Sequence, residues 1–129
     1  MRLMLDTHFL IWSVREKERI SERLAARLTD PENTLVFSVV SLWEIAIKHG
    51  RGRPDFHFDP VVVRPGLLAQ GYEEQPITGP QVIATASLPD IHRDPFDRLL
   101  VTQAHFEGIT LLTSDPLVAQ YPGPIELVE

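Results

Sequence analysis

The stretch DPFDRLLVTQAHFEGITLLTSD, residues 94–115, decides the fold. Asp94 is a favoured N-cap and Pro95 suits the first helical position, so a helix begins there. Leu100, Val101 and Ala104 stand three, four and seven residues beyond Asp97 and form one apolar stripe with it. Gly108 supplies a stop, which gives a helix over 95–107. Ile109 to Thr113 then reads as a core strand aimed at Ser114-Asp115. A helix feeding an apolar strand with an acid beyond its tip suggests an α/β protein.

The rest of the chain repeats that theme. Met1 to Leu5 is a short apolar run, read as a buried strand with Asp6 at its C-terminal tip. Helices are expected over 7–14 and over 22–29. Ser21 caps the second and Asp30-Pro31 ends it. A strand over 34–38 precedes a helix over 39–50, with Trp43, Ala46 and Ile47 on its apolar side and Gly50 as its stop. Residues 51–60 (RGRPDFHFDP) are the least regular and read as a loop. A short helix over 61–70 is expected to be interrupted early by Pro65. Then come an extended segment over 72–77, a short helix over 80–86 and a last short strand near 125–128. Strands alternate with helices throughout, so the expectation is an α/β sandwich around a mostly parallel sheet, with 1–129 as a single domain.

Composition narrows the function classes. Of the 129 residues, 43% are hydrophobic and 23% charged, a mix that argues against disorder. There is no cysteine, which excludes disulfides and thiolate metal sites and fits the cytoplasm. No apolar run reaches the roughly 18 residues of a membrane span. The stretch from Leu3 to Trp12 is broken by Asp6 and His8 and does not read as a signal peptide. Net charge is −6, yet residues 1–53 hold nine Lys/Arg against seven Asp/Glu, while residues 54–129 hold three against eleven. Such a chain is a poor nonspecific nucleic-acid coat. It is still compatible with a nuclease whose acids hold divalent cations, because the ions reverse the local charge.

Four acids stand out, each with a bland alternative. Asp6 ends a buried strand, where a charge is costly unless paired, but it also fits as the N-cap of the helix at Thr7. Asp115 ends another strand and is also an ordinary Asp-Pro turn. Two strands delivering acids at their C-terminal tips favour a site, since ligands bind there in open α/β sheets. Asp97 suits the helix dipole in the first turn, yet it lies at the end of the apolar stripe. Glu44 fits a capping box with Ser41 and an ion pair with Lys48, yet it sits in a very apolar helix. Asp94 reads as a cap with a candidate auxiliary role. Hard cations such as Mg²⁺ and Mn²⁺ prefer carboxylate oxygen, and convergent acids hold one or two of them. Such ions make a bound water more acidic and neutralise a leaving oxygen at a phosphodiester. No P-loop or dinucleotide fingerprint competes. Histidines 8, 49, 57, 92 and 105 show no metal-ligand spacing, and His8 is read as a core or rim residue.

At these residues the sequence resembles PIN-domain proteins, in particular the virulence-associated protein C (VapC) toxin branch. Leu5-Asp6-Thr7-His8 resembles the first acidic motif of that family, and Ser41-Leu42-Trp43-Glu44-Ile45-Ala46-Ile47-Lys48 the second. Asp94-Pro95-Phe96-Asp97-Arg98-Leu99-Leu100-Val101-Thr102-Gln103-Ala104 resembles the third, and Leu112-Thr113-Ser114-Asp115 the fourth. The resemblance covers essentially the whole chain. Arg51-Gly52-Arg53-Pro54 departs from it by being more basic. The resemblance implies a three-layer α/β/α fold, a Mg²⁺- or Mn²⁺-dependent endoribonuclease, a homodimer and a cognate antitoxin that blocks the site. By position, Asp6, Glu44, Asp97 and Asp115 would be the catalytic metal-binding acids. Thr7, Thr113, Ser114 and Asp94 would be auxiliary, and Lys48, Arg51, Arg53 and Arg98 would steer RNA.

Two rival readings remain open on sequence alone. One is a PIN-like module that has lost its chemistry and only binds a partner protein. The other is an aspartyl-nucleophile phosphatase using Asp6, disfavoured because the position two residues on is His8. Phe9, Leu10, Ile11, Trp12, Leu24 and Leu28 supply more apolar groups than one face of a small sheet obviously needs. Either all are core, or some mark a dimer or antitoxin contact.

Overall fold

The computed structural model describes residues 1–52 and 58–128. Five parallel strands make one sheet: β1 (Arg2–Leu5), β2 (Thr34–Ser38), β3 (Glu73–Gln75), β4 (Thr110–Thr113) and β5 (Ile125–Leu127). Their order across the sheet is β3-β2-β1-β4-β5. Among the described residues, six α-helices connect them: α1 (Thr7–Arg15), α2 (Glu22–Thr29), α3 (Val39–Gly50), α4 (Pro60–Ala69), α5 (Gly79–Ala84) and α6 (Pro95–Glu107).

Side chains alternate across each strand, and the alternation sorts the core into two layers. Leu3, Leu5, Phe37 and Leu112 point to one face, where they pack with Phe9, Leu10, Leu24, Val63 and Leu67 of α1, α2 and α4. Met4, Val36 and Leu111 point to the other, against Leu99, Leu100, Val101 and Ala104 of α6. The result is a three-layer α/β/α sandwich. Helix α3 serves both layers, with Ile45 in the first and Val40 in the second.

Phe9, Leu10, Ile11 and Leu24 are buried, and Trp12 and Leu28 are partly buried against the same cluster. These residues are therefore core, and the apolar surplus is not a surface patch. Two expectations need correcting. Helix α4 runs through Pro65 without interruption and begins at Pro60, capped by Asp59, whose Oδ1 accepts from Val61 N at 2.9 Å. Pro65 and Val61 both lie on the exposed side, where water can reach the carbonyl that the proline leaves unpaired. Helix α3 is turned the other way from its apolar reading. Trp43 and Ala46 are exposed, while Val40, Ser41, Glu44 and Ile45 are buried. The buried face of α3 mixes Val40 and Ile45, which enter the core, with Ser41 and Glu44, which border the acids described next. The stop at Gly108 is as expected, with φ 63° in the left-handed region.

The chain leaves β1 towards β2 on one side and later fills β4 on the other. The carboxyl ends of β1 and β4 thus flank the point where strand order reverses, the usual ligand crevice of such sheets.

Candidate active site

Asp6 follows β1 and is 5% exposed. Its Oδ1 accepts from Phe9 N at 2.9 Å, the cap of α1. Its Oδ2 accepts from Thr113 Oγ1 at 2.8 Å and from Ser114 N at 3.4 Å, at the end of β4. One oxygen of Asp6 thus caps α1, and the other ties the end of β1 to the end of β4. Burial pushes the Asp6 carboxyl above the usual carboxylate range, against those three hydrogen bonds and the nearby His8, which pull it down. His8 itself is exposed.

Glu44 on α3 is also 5% exposed. Its Oε1 accepts from Thr7 Oγ1 at 2.8 Å, and Lys48 Nζ donates to Oε2 at 2.9 Å. Thr7 Oγ1 lies 3.0 Å from Ser41 Oγ, so the start of α1 and the first turn of α3 are joined through hydroxyls. The ion pair with Lys48 is present. The cap of α3, however, is Ser38, whose Oγ accepts from Val40 N. Ser41 therefore does not form a capping box with Glu44.

Asp97 and Asp115 complete the site. Asp94 caps α6, its Oδ1 accepting from Phe96 N at 2.8 Å and Asp97 N at 3.4 Å. That leaves the Asp97 carboxyl in the first turn, facing the other acids. Its pKa is pushed up to about 7, first by burial, then by the charges of Asp94 and Glu44. His92 opposes the rise and Asp6 adds to it. A carboxyl that senses three neighbouring acids in this way marks the centre of the cluster. Asp115 Oδ1 accepts from Leu117 N at 2.9 Å, and its own N–H donates to Thr113 Oγ1 at 3.1 Å. Thr113 is thus a relay, donating to Asp6 while accepting from Asp115.

One participant was not legible as a ligand-like residue. His92, in the loop before α6, places Nε2 3.1 Å from Asp115 Oδ2 and 3.5 Å from Asp97 Oδ2. Among the described residues, His92, Asp97 and Asp115 form a group whose candidate ligand atoms all lie within 4.8 Å of one another. Asp6 and Glu44 stand outside that group and reach Asp97 through their charge. The short spacing from His92 to Asp94 and Asp97 was the available signal. Its meaning depended on the loop bringing His92 to Asp115, just beyond β4, which spacing alone does not show.

The cations expected to steer RNA separate. Lys48 lies at the site but is paired with Glu44. Arg51 is exposed at the C-terminal cap of α3. Arg53 lies outside the described residues. Arg98 is engaged within the fold. Its guanidinium donates to the carbonyls of Thr85, Leu88, Pro89 and His92 and to Tyr121 Oη, so it faces inward and binds the 85–92 segment to α6.

Four acids at the reversal point of a parallel sheet, two of them at the tips of neighbouring strands, define a class of acid-cluster α/β proteins. A family profile described as the PIN domain matches residues 3–123. The chain belongs to the PIN-domain family, whose members are generally nucleases. Among solved structures, the chain is similar to VapBC2 from Rickettsia felis bound to a DNA fragment from their promoter. That match has a TM-score of 0.72 at 18% identity and covers 98% of each chain. No curated protein sequence matches significantly. No helix among the described residues is long and apolar enough to cross a membrane.

Proposed function

We propose that this chain is a divalent-metal-dependent endoribonuclease, with Asp6, Glu44, Asp97 and Asp115 holding Mg²⁺ or Mn²⁺. The observation that carries the reading is the state of Asp97, a half-buried acid raised to about 7 among Asp94, Glu44 and Asp6. Lys48 pairs with Glu44, and His92 stands beside Asp97 and Asp115. A cluster of carboxylate oxygens with that surplus of like charge fits a hard cation. A bound ion would supply Lewis-acid charge at the phosphate and a more acidic water.

The chain's own residues then do three things. Thr113 and the Phe9 and Ser114 N–H groups fix Asp6 so that its carboxylate cannot swing away. Thr7 and Lys48 do the same for Glu44. Asp97 and Asp115 are the more accessible acids, with side chains 22% and 38% exposed, and they line the side from which a phosphodiester enters. In-line attack of water on phosphorus with departure of the 3′-oxygen leaves a 5′-phosphate and a 3′-hydroxyl. The aspartyl-nucleophile alternative lacks a second acid two residues beyond Asp6, where His8 stands.

The toxin role rests on the likeness to a VapBC2 assembly and on the sequence motifs. A cognate antitoxin and a homodimer belong to the same reading. Exposed Val61, Val62 and Leu68 on α4 and Val82 and Ile83 on α5 are apolar surface that partners of this kind would cover. The test is cleavage of labelled total RNA by the purified chain with Mn²⁺ or Mg²⁺, with excess EDTA, and with Asp97→Asn. Cutting that needs the ion and is lost in the variant supports the nuclease. A folded, partner-free chain that cuts nothing in either metal overturns it.

A further inference from the structure

His92 is held at every polar atom. Its main-chain N–H donates to Tyr121 Oη at 2.9 Å. Its carbonyl accepts from Tyr121 Oη at 3.2 Å and from Arg98 Nη1 at 3.3 Å. Tyr121 is 3% exposed, and its hydroxyl also accepts from Arg98 Nη1 at 3.1 Å. The ring is fixed separately, because Asp94 N donates to Nδ1 at 3.0 Å. A ring nitrogen that accepts a main-chain N–H carries no proton, so the imidazole proton is on Nε2. It points at Asp115 Oδ2, 3.1 Å away, with Asp97 Oδ2 at 3.5 Å.

We propose that His92 is a positioning residue of the acid site, an Nε2–H donor that holds Asp115 Oδ2 beside Asp97 and so orients Asp115 for a divalent cation without ligating it. This rests on the metal-site reading above. By distance alone, His92, Asp97 and Asp115 look like a three-residue ligand set. The tautomer decides otherwise. Ligation through Nε2 needs its lone pair, which moves the proton to Nδ1 and sets it against the Asp94 N–H. That step loses one hydrogen bond and faces two donors at each other. As a donor, His92 keeps all its bonds and fixes Asp115 Oδ2 next to Asp97. Asp115 Oδ1 is engaged by Leu117 N and its Oδ2 by His92, so the acid is oriented from both sides. Outer groups that orient ligands in this manner are typically worth about 10–100-fold in metal affinity.

The test uses the full chain in two arms. Nitrogen-15 spectra of the imidazoles, without metal and with Mg²⁺, read the tautomer. The expected result is Nε2–H for His92 in both states, and an Nδ1–H ring in either state overturns the proposal. Calorimetric titration with Mn²⁺ compares the wild type with His92→Ala and His92→Gln. The alanine variant is expected to bind about 10–100-fold more weakly, with the glutamine variant, which keeps an N–H donor, recovering much of the loss. Equal affinity of wild type and the alanine variant overturns the proposal, as does a directly bonded histidine nitrogen in the electron spin-echo spectrum of the Mn²⁺ complex. A wild type that binds no Mn²⁺ sinks the metal site itself, and the metal-free tautomer still judges the His92 arrangement separately.

Discussion

Thr113 donates its hydroxyl proton to Asp6 Oδ2 at 2.8 Å across the seam between β1 and β4. Thr113 Oγ1 in turn accepts the N–H of Asp115 at 3.1 Å, so one buried hydroxyl sets the relative position of two acids that follow different strands. Thr113→Val keeps the shape and removes the hydroxyl. Asp6, which is 5% exposed, would keep Oδ2 bonded only by the longer contact from Ser114 N. The expected cost is about 1–3 kcal/mol, together with weaker Mn²⁺ binding. Thr113→Ser should recover most of both. Urea denaturation and metal calorimetry on the two variants check this, and a valine variant as stable and as avid as wild type would remove Thr113 from the site.

Asp97 makes the metal-free protein sensitive to pH. Its carboxyl rises from 3.8 to about 7 on folding, chiefly through burial. Between those values the folded chain holds a proton that the unfolded chain has lost, so stability falls as pH rises. The contribution is complete below the unfolded value and gone above the folded one. Asp6, raised in the same direction, adds to the slope. In EDTA, the melting temperature should therefore drop from about pH 5 to about pH 8 by more in wild type than in Asp97→Asn. The difference amounts to at most a few kcal/mol, reduced because the Asp97 side chain keeps 22% exposure. Saturating Mn²⁺ should restore wild-type stability at the higher pH. Parallel slopes for wild type and variant would count against the raised carboxyl.

The alternation of strands and helices was readable because each strand is short, apolar and followed by a polar turn, as at Leu3-Met4-Leu5-Asp6 and Leu111-Leu112-Thr113-Ser114. Acids placed directly after such runs needed a reason, and the sheet supplies one by setting β1 beside β4. The face of α3 was misjudged because Trp43 is its largest apolar side chain. Trp43 instead lies outside, its ring edge-on to Phe96 at 4.9 Å, while Glu44 turns inward to the acids. The surroundings of His92 and Arg98 were not legible for a related reason. Their partners are main-chain groups in the 85–94 loop and the Tyr121 hydroxyl, and no local pattern reports where a loop's carbonyls converge.

Arg98 offers a clean distinction between steering and structure. Its guanidinium lies among four carbonyls and the Tyr121 hydroxyl, which an ammonium cannot satisfy with its smaller, differently shaped head. Arg98→Lys should thus lower stability by about 2–3 kcal/mol. An RNA-steering arginine would behave differently, since lysine preserves the charge that attracts phosphate. Measured below the melting point of the variant, RNA affinity should keep the same salt dependence as wild type. An Arg98→Lys protein as stable as wild type would overturn the structural role and return Arg98 to the RNA surface.

Lys48 and Glu44 should couple to metal through competition for one carboxylate. Lys48 Nζ donates to Glu44 Oε2 at 2.9 Å, and the side chains are 30% and 7% exposed. Removing the lysine leaves a nearly buried carboxylate short of a partner. Lys48→Met should cost about 1–2 kcal/mol in EDTA, less than for a fully buried pair because the ammonium is partly solvated. With Mn²⁺ bound near Glu44, the ion takes over part of the compensation, so the same substitution should cost less. The measurement is the melting temperature of wild type and variant, each with Mn²⁺ and with EDTA. A penalty in Mn²⁺ as large as that in EDTA would place Glu44 outside the reach of the ion and leave the metal to Asp6, Asp97 and Asp115.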